Sequence, residues 1–201
     1  LKLFLTAPDG RPYANFDRLA AGQPASAKVG FAMNAGMFDP GFRPVGLLVA
    51  DGRELAPINL RKGSGNFYLK PNGVFAIARD GFVIVNSENW SAVAGPIQLA
   101  TQSGPLLVEG GKIHSAFSAN STSVYVRNAV GVVSGNEACL VISDRPITFH
   151  HLARFMKVGL GCENALYLDG AISSVYAPAL HRNDAKYKLG PMIAVMIEPS
   201  S

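Results

Sequence analysis

Charge is scarce in this chain. Of its 201 residues, 16% are Asp, Glu, Lys or Arg, against roughly 25% in an average globular protein. Hydrophobic residues make up 48%, so the chain buries much of itself, which excludes intrinsic disorder. Long apolar runs are missing as well. No stretch approaches the roughly 18 uninterrupted apolar residues of a membrane-spanning helix, and no membrane span is expected. Cysteine is limited to Cys139 and Cys162, which have neither the CxxC spacing of a zinc site nor the density of a disulfide scaffold. Core thiols are the first expectation for them and one disulfide the second. The four histidines, His114, His150, His151 and His181, form no HExxH and no i, i+4 pair, so no metal and no other cofactor is expected. No serine stands in GxSxG, and Ser173 and Ser174 have no neighbouring His to activate them, which argues against an acyl-transfer triad.

Clustered base is also lacking. The net charge is +4, and the nearest approach to a basic cluster is Arg53, Arg61 and Lys62. A nucleic-acid binder concentrates its cations on one stripe with aromatics between them, so no nucleic-acid partner is expected. A modest positive field suits an anionic small molecule. A chain that begins at Leu1 rather than Met is expected to be a processed one whose address has been removed.

Glycine and proline are abundant, at 21 and 13 residues, which points to tight turns joining short strands. Strands are expected at Leu1 to Thr6, Val29 to Met33, Val45 to Ala50, Arg53 to Pro57, Asn66 to Lys70, Gly73 to Ala78 and Phe82 to Asn86. Further strands are expected at Pro105 to Val108, Lys112 to Ser115, Val124 to Val133, Ala138 to Ser143, Ala165 to Leu168 and Met192 to Ile197. Asp51-Gly52, Asp80-Gly81, Glu109-Gly110-Gly111 and Ser134-Gly135-Asn136-Glu137 supply hairpin turns. Phe16 to Ala21 is a short helix before Gly22, and Thr148 to Gly159 a longer one: Thr148 caps it, and Phe149, Leu152, Phe155 and Met156 recur at helical spacing. No repeat or linker interrupts residues 1–201. The expected fold is a single α+β domain with a mixed, largely antiparallel sheet and few helices.

Four Gly-bearing polar segments follow or interrupt apolar strands. Asn34-Ala35-Gly36-Met37-Phe38-Asp39 places an amide and a carboxylate around a glycine that allows close backbone approach, although Asn34 could equally tie down a turn. Thr101-Gln102-Ser103-Gly104-Pro105 reads as a loop whose side chains suit hydroxyls or phosphate oxygens and whose backbone N–H groups could form an anion nest. Arg127-Asn128 reads as mid-strand. A guanidinium with apolar neighbours needs a bidentate anion, either a ligand phosphate or a structural carboxylate such as Asp144 or Asp169. Leu168-Asp169-Gly170, with Ser173 and Ser174 beyond it, puts an acid at the end of a buried strand, where a scaffold fixes it and a loop opens it to a cleft.

Taken in order, Asn34-Ala35-Gly36-Met37-Phe38, Gln102-Ser103-Gly104-Pro105, Arg127-Asn128-Ala129-Val130-Gly131 and Tyr167-Leu168-Asp169-Gly170 resemble the phosphodiester glycosidase family from about Val29 to Ile197. Bacterial members of that family are similar in Gly65 to Gly73 and Asn164 to Gly170. Many members have a second Gly after Asp-Gly where this chain has Ala171. The resemblance implies a periplasmic or secreted hydrolase that cleaves the glycosidic bond of a sugar 1-phosphodiester. Its partner would be a small-molecule or polymeric glycan phosphodiester. On that reading Asp169 and Arg127 are catalytic. Asn34, Gly36, Phe38, Gln102, Ser103, Gly104, Asn128, Gly170, Ser173 and Ser174 bind substrate, and Asp39 is a candidate second carboxylate. The competing reading is a non-catalytic carbohydrate- or cell-wall-binding module that stacks sugars on Phe38, Trp90 or Tyr176.

Overall fold

The computed structural model describes residues 1–197. Its strands are short, and every ladder among the described residues is antiparallel. They form three five-stranded sheets rather than the one mixed sheet expected from the sequence. Physically, many of the connections are turns of a few residues. Such links can join only antiparallel neighbours, because a parallel pair needs a long crossover. The content is mostly β, with two short α-helices.

The first sheet holds β1 (Lys2–Phe4), β15 (Met192–Ile197), β2 (Lys28–Asn34), β13 (Val175–Ala177) and β14 (Arg182–Asn183), in that order. The second holds β11 (Glu137–Ile142), β10 (Asn128–Ser134), β12 (Asn164–Tyr167), β8 (Leu106–Glu109) and β9 (Lys112–Ile113). The third holds β4 (Arg53–Ala56), β3 (Leu48–Ala50), β7 (Leu99–Ser103), β5 (Gly73–Ala78) and β6 (Gly81–Asn86). One apolar core joins all three: Met33 and Ile193 from the first sheet pack with Val130 and Leu166 from the second and with Leu48 and Phe75 from the third.

Helix α1 (Phe16–Ala21) forms where expected. Asn15 caps it by accepting the Arg18 N–H at 2.7 Å, and Phe16 and Leu19 are buried. Helix α2 (Phe149–Arg154) is capped by Thr148, which accepts the His151 N–H at 3.1 Å. It continues as a π-turn over Phe155–Gly159 and so spans the segment expected to be one helix.

Three expectations fail locally. Asn66–Tyr68 is a 3₁₀ turn, not part of a strand: Gly65 at φ 88° turns the chain, and the Asn72 side chain donates to the Phe67 carbonyl at 2.8 Å. Thr101 to Ser103, expected as a loop, lie in β7, which is buried along its whole length. Their polarity hid the strand, and their backbone N–H groups are committed to pairing, as when Gln102 N–H donates to Leu47 O at 2.9 Å. Arg127 precedes β10 rather than lying mid-strand, and Tyr125 meets Ile147 through an isolated bridge.

Gly131 of β10 stands opposite Cys139 of β11 and Ala165 of β12. A Cβ at Gly131 would lie 2.5 Å from the Cys162 Sγ, so both cysteines crowd one point of the second sheet. Both are free thiols. Burial, then the neighbouring Cys139, pushes the Cys162 thiol up to about 11. In native protein at pH 8, an aromatic disulfide reagent is therefore expected to titrate Cys139 and leave Cys162 unmodified until denaturant is added.

Candidate active site

The C-terminal ends of β2, β7 and β12 and the start of β10 bring one residue each to the junction of the three sheets. Asn34 closes β2, and its Nδ2 donates to the Asp169 carbonyl at 3.0 Å while its Oδ1 accepts the Ser174 N–H at 2.9 Å. Asn128 opens β10, and its Nδ2 donates to the Asn34 carbonyl at 2.8 Å while its Oδ1 accepts the Asp169 N–H at 3.0 Å. From the end of β7, the Ser103 hydroxyl donates to the Leu168 carbonyl at 2.6 Å. These three side chains are fully buried, and no buried polar side-chain atom among the described residues lacks a partner. A satisfied polar network of this kind is rigid. It holds both the N–H and the C=O of Asp169 and leaves only its side chain free to work.

The Asp169 carboxyl is pushed up to about 6, first by burial, against one stabilising contact in which the Ala171 N–H donates to Oδ1 at 3.1 Å. Among the described residues no cation lies within salt-bridge distance of it. Tyr167 lies two residues earlier. Its hydroxyl is pushed up to about 12 by burial, with Asp169 adding to the rise and Arg127 opposing it. It abuts Gly170 so closely that a Cβ there would collide with the hydroxyl oxygen, which is why a glycine follows the acid.

Arg127 is 1% exposed, yet among the described residues no carboxylate lies within 4.0 Å of its guanidinium. Neither candidate for a structural partner serves: Asp144 pairs instead with Arg182 at 2.7 Å, and Asp169 has no ion pair. The cation rests on aromatic faces, 3.7 Å above the Phe149 ring centre and 5.2 Å from that of Tyr125. Phe149 is itself stacked on Phe117 at 4.9 Å. Nε donates to the Ile147 carbonyl at 2.9 Å and Nη2 to the Ser123 carbonyl at 3.2 Å. The Tyr167 ring centre lies 5.6 Å from the guanidinium carbon. A guanidinium has five N–H donors, so the two carbonyls leave three without a carbonyl partner. Burial holds the Arg127 pKa below its ordinary value, and a buried, unpaired cation of this kind calls for one.

Beside Asp169 opens a cleft of about 520 Å³, lined by Gly170, Ala171, Ser173 and Ser174 from the turn after the acid, by Arg182, Lys186 and Tyr187, and by Tyr125. The Ser173 hydroxyl donates to the Asp169 carbonyl at 3.1 Å and the Ser174 hydroxyl to the Ile172 carbonyl at 2.7 Å.

The phosphodiester glycosidase family model matches residues 27–196. The chain belongs to that family. It is 34% identical over 176 residues to the uncharacterized protein YigE of Escherichia coli strain K12, covering 88% of this chain and 69% of that one. In fold it is similar to the catalytic domain of zebrafish N-acetylglucosamine-1-phosphodiester alpha-N-acetylglucosaminidase auto-inhibited by its pro-peptide, with a TM-score of 0.62 and 19% identity over 100% of this chain and 72% of that one.

Within this phosphodiester glycosidase domain, Asn34, Ser103, Asn128, Asp169, Gly170, Ser173 and Ser174 come together. The first three act as braces rather than ligand contacts. Gln102 does not join them. Its Oε1 accepts Leu47 N–H at 3.0 Å and Asn59 N–H at 2.9 Å, and its Nε2 donates to Asn59 O at 2.8 Å and Ser87 Oγ at 3.0 Å. All four bonding positions of the amide are taken, so Gln102 secures the segment around Asn59 and has nothing left for substrate. Gly36 and Gly104 are spacers: a Cβ would lie 2.5 Å from the Gln102 carbonyl at the first and 2.5 Å from the Asn72 Cβ at the second. Phe38 stacks on Phe42 with centroids 5.7 Å apart and does not line the cleft. Asp39 is no second carboxylate: its Oδ1 accepts the Gly41 N–H at 2.8 Å, its Oδ2 pairs with Arg43 at 2.7 Å, and Arg43 holds it below the usual carboxylate range. Tyr176 packs on Phe16 in the core, and Trp90 packs against the third sheet.

Tyr125, Phe149, Tyr167 and Lys186 are the residues that sequence reasoning missed. Only Tyr167 carried a signal, since residues i and i+2 of an extended chain share a face and Tyr167 stands two before Asp169.

The brace makes a direct prediction. Asn34→Ala strands the Ser174 N–H in the interior and leaves the Asp169 carbonyl with the Ser173 hydroxyl alone, and urea unfolding is expected to register a loss of roughly 1–3 kcal/mol.

Proposed function

We propose that this protein hydrolyses the glycosidic bond of a sugar 1-phosphodiester, releasing free sugar and a phosphomonoester. The observation that carries this reading is the position of Tyr167, its ring 5.6 Å from a buried guanidinium that has no carboxylate partner and its hydroxyl against the Gly170 that follows a carboxyl raised to about 6. Arg127, beneath the Tyr125 ring that lines the cleft, binds the phosphodiester anion with the N–H groups its carbonyl partners leave. As the C1–O bond breaks, its electron pair passes to the phosphate oxygen, and the second negative charge develops beside the guanidinium. The sugar carbon becomes positive, and a water attacks it. Asp169, ionised above about pH 6, takes that water's proton. Phosphate is a good leaving group, so a strong acid on its side is not required. Tyr167 stays neutral throughout, since its hydroxyl titrates only near 12.

The test is hydrolysis of a panel of sugar 1-phosphodiesters in ¹⁸O-labelled water. A released phosphomonoester that carries no label identifies C1–O cleavage and supports the reading. Label in the phosphate identifies a phosphodiesterase and overturns it. Saturable binding of the same glycans with no release of either product makes the chain a binding module.

A further inference from the structure

Next to the polar cleft runs a second depression, a groove of about 770 Å³ walled by Val124, Ile142, Pro146, Ile147, Leu152 and Phe155. Two of these walls are apolar side chains left open to solvent: Val124 is 48% exposed and Phe155 is 50% exposed. Exposed large apolar groups are unremarkable singly, but gathered in one groove they mark a binding surface.

Three observations tie the groove to the site. Asp144 lines both the groove and the cleft, so the two adjoin. The groove's rim is the cage of Arg127: Ser143 Oγ accepts the Arg127 N–H at 3.0 Å, Ile147 O accepts its Nε–H at 2.9 Å, and Val124 follows Ser123, whose carbonyl accepts Nη2–H at 3.2 Å. The exposed Tyr125 ring stands over the same guanidinium. The Arg127 guanidinium, 1% exposed, is thus held beneath the wall between a cleft bordered by Ser173 and Ser174 and an apolar trough. That order matches a sugar, a phosphate and a hydrophobic alcohol.

We propose that the groove takes the apolar alcohol of the phosphodiester, so that the natural substrate is a sugar 1-phosphate ester of a hydrocarbon alcohol; this rests on the hydrolytic reading above. Burial of alkyl chain supplies affinity of about fourfold per methylene until the trough is filled. The leaving phosphomonoester is then an alkyl phosphate held by its charge at Arg127 and by its tail along Phe155 and Val124.

Calorimetric titration with methyl phosphate and with octyl phosphate below its micelle-forming concentration tests this. Octyl phosphate is expected to bind roughly 100-fold tighter or more than methyl phosphate. Phe155→Ser and Val124→Ser, both at exposed positions and checked for folding by circular dichroism, should remove most of that gain and leave methyl phosphate binding unchanged. Equal affinity for the two phosphates, or a gain that survives both substitutions, overturns the proposal. Cleavage of a methyl-ester sugar phosphodiester reports the hydrolytic reading separately. If that ester is cleaved while the two phosphates bind alike, the groove proposal alone falls. If octyl phosphate binds through Phe155 while no sugar phosphodiester is cleaved, the groove is an alkyl phosphate site, and the hydrolytic reading falls together with the substrate assignment that rests on it.

Discussion

Asp169→Asn should abolish sugar release while making the protein more stable at neutral pH. The activity loss is expected to be roughly 10²- to 10⁴-fold, the usual worth of a positioned general base. The stability gain follows from the sign of the pKa shift. Asp169 is raised from 3.8 to about 6 in the folded protein, so the folded state holds its proton more tightly than the unfolded chain does. Below about pH 4 both states are protonated and nothing is lost. Between about pH 4 and about 6 the unfolded carboxylate ionises while the folded one keeps its proton, so stability falls by about 3 kcal/mol, a loss complete above about 6. An uncharged amide escapes most of that penalty and still accepts the Ala171 N–H. Thermal melts at pH 7.5 should place the variant about 4–8 °C above wild type, with the gap closing as pH is lowered toward 4. Wild-type kcat/KM should rise with pH through about 6. A variant that is inactive but no more stable at pH 7.5 would mean that the carboxyl is not held against its burial, and the assignment of the base would fail.

Arg127→Lys is expected to lower kcat/KM by roughly 10²- to 10³-fold, the range seen when one preorganised donor to a developing oxyanion is removed. Charge is kept, but the planar fork is lost, and with it the ability to hold Ile147 O, Ser123 O, Tyr167 and an anion at once. Urea unfolding should register roughly 2–3 kcal/mol of lost stability from carbonyls left without a donor. The site assignment is checked by adding guanidinium at low millimolar concentration to the folded Arg127→Ala variant. Partial return of turnover places the cation at the reacting phosphate; stability restored without turnover assigns it to scaffolding alone.

The hairpins and the acid at a strand's end were legible because Gly-rich turns and apolar strands announce themselves locally. The identity of β7 was not. Thr101, Gln102 and Ser103 look like loop residues, and only the long-range partners Leu47, Asn59, Ser87 and Leu168 explain why a polar strand can be buried. Candidate ligand groups were separated from braces by the same kind of information. Asn34 and Gln102 are equally polar in sequence, but the bonds of one frame the Asp169 turn and those of the other are spent some distance along the third sheet. Arg127 was legible as a cation in need of an anion, whereas its aromatic bed was not, because Phe149 reaches it from a helix 22 residues away in the chain.

Strand β15 lies between β1 and β2, pairing with both, and sets Met192 directly opposite Asn34. The last strand described is thus an interior member of its sheet, and the residue that braces Asp169 is anchored by a segment made more than 150 positions later. During synthesis the chain carries Asn34, Ser103, Asn128 and Asp169 before it carries the strand that anchors the first of them. While β15 is still in the exit tunnel, Asn34 lacks the sheet partner that sets its position, so the geometry of the Asp169 turn forms only after residue 197 has emerged.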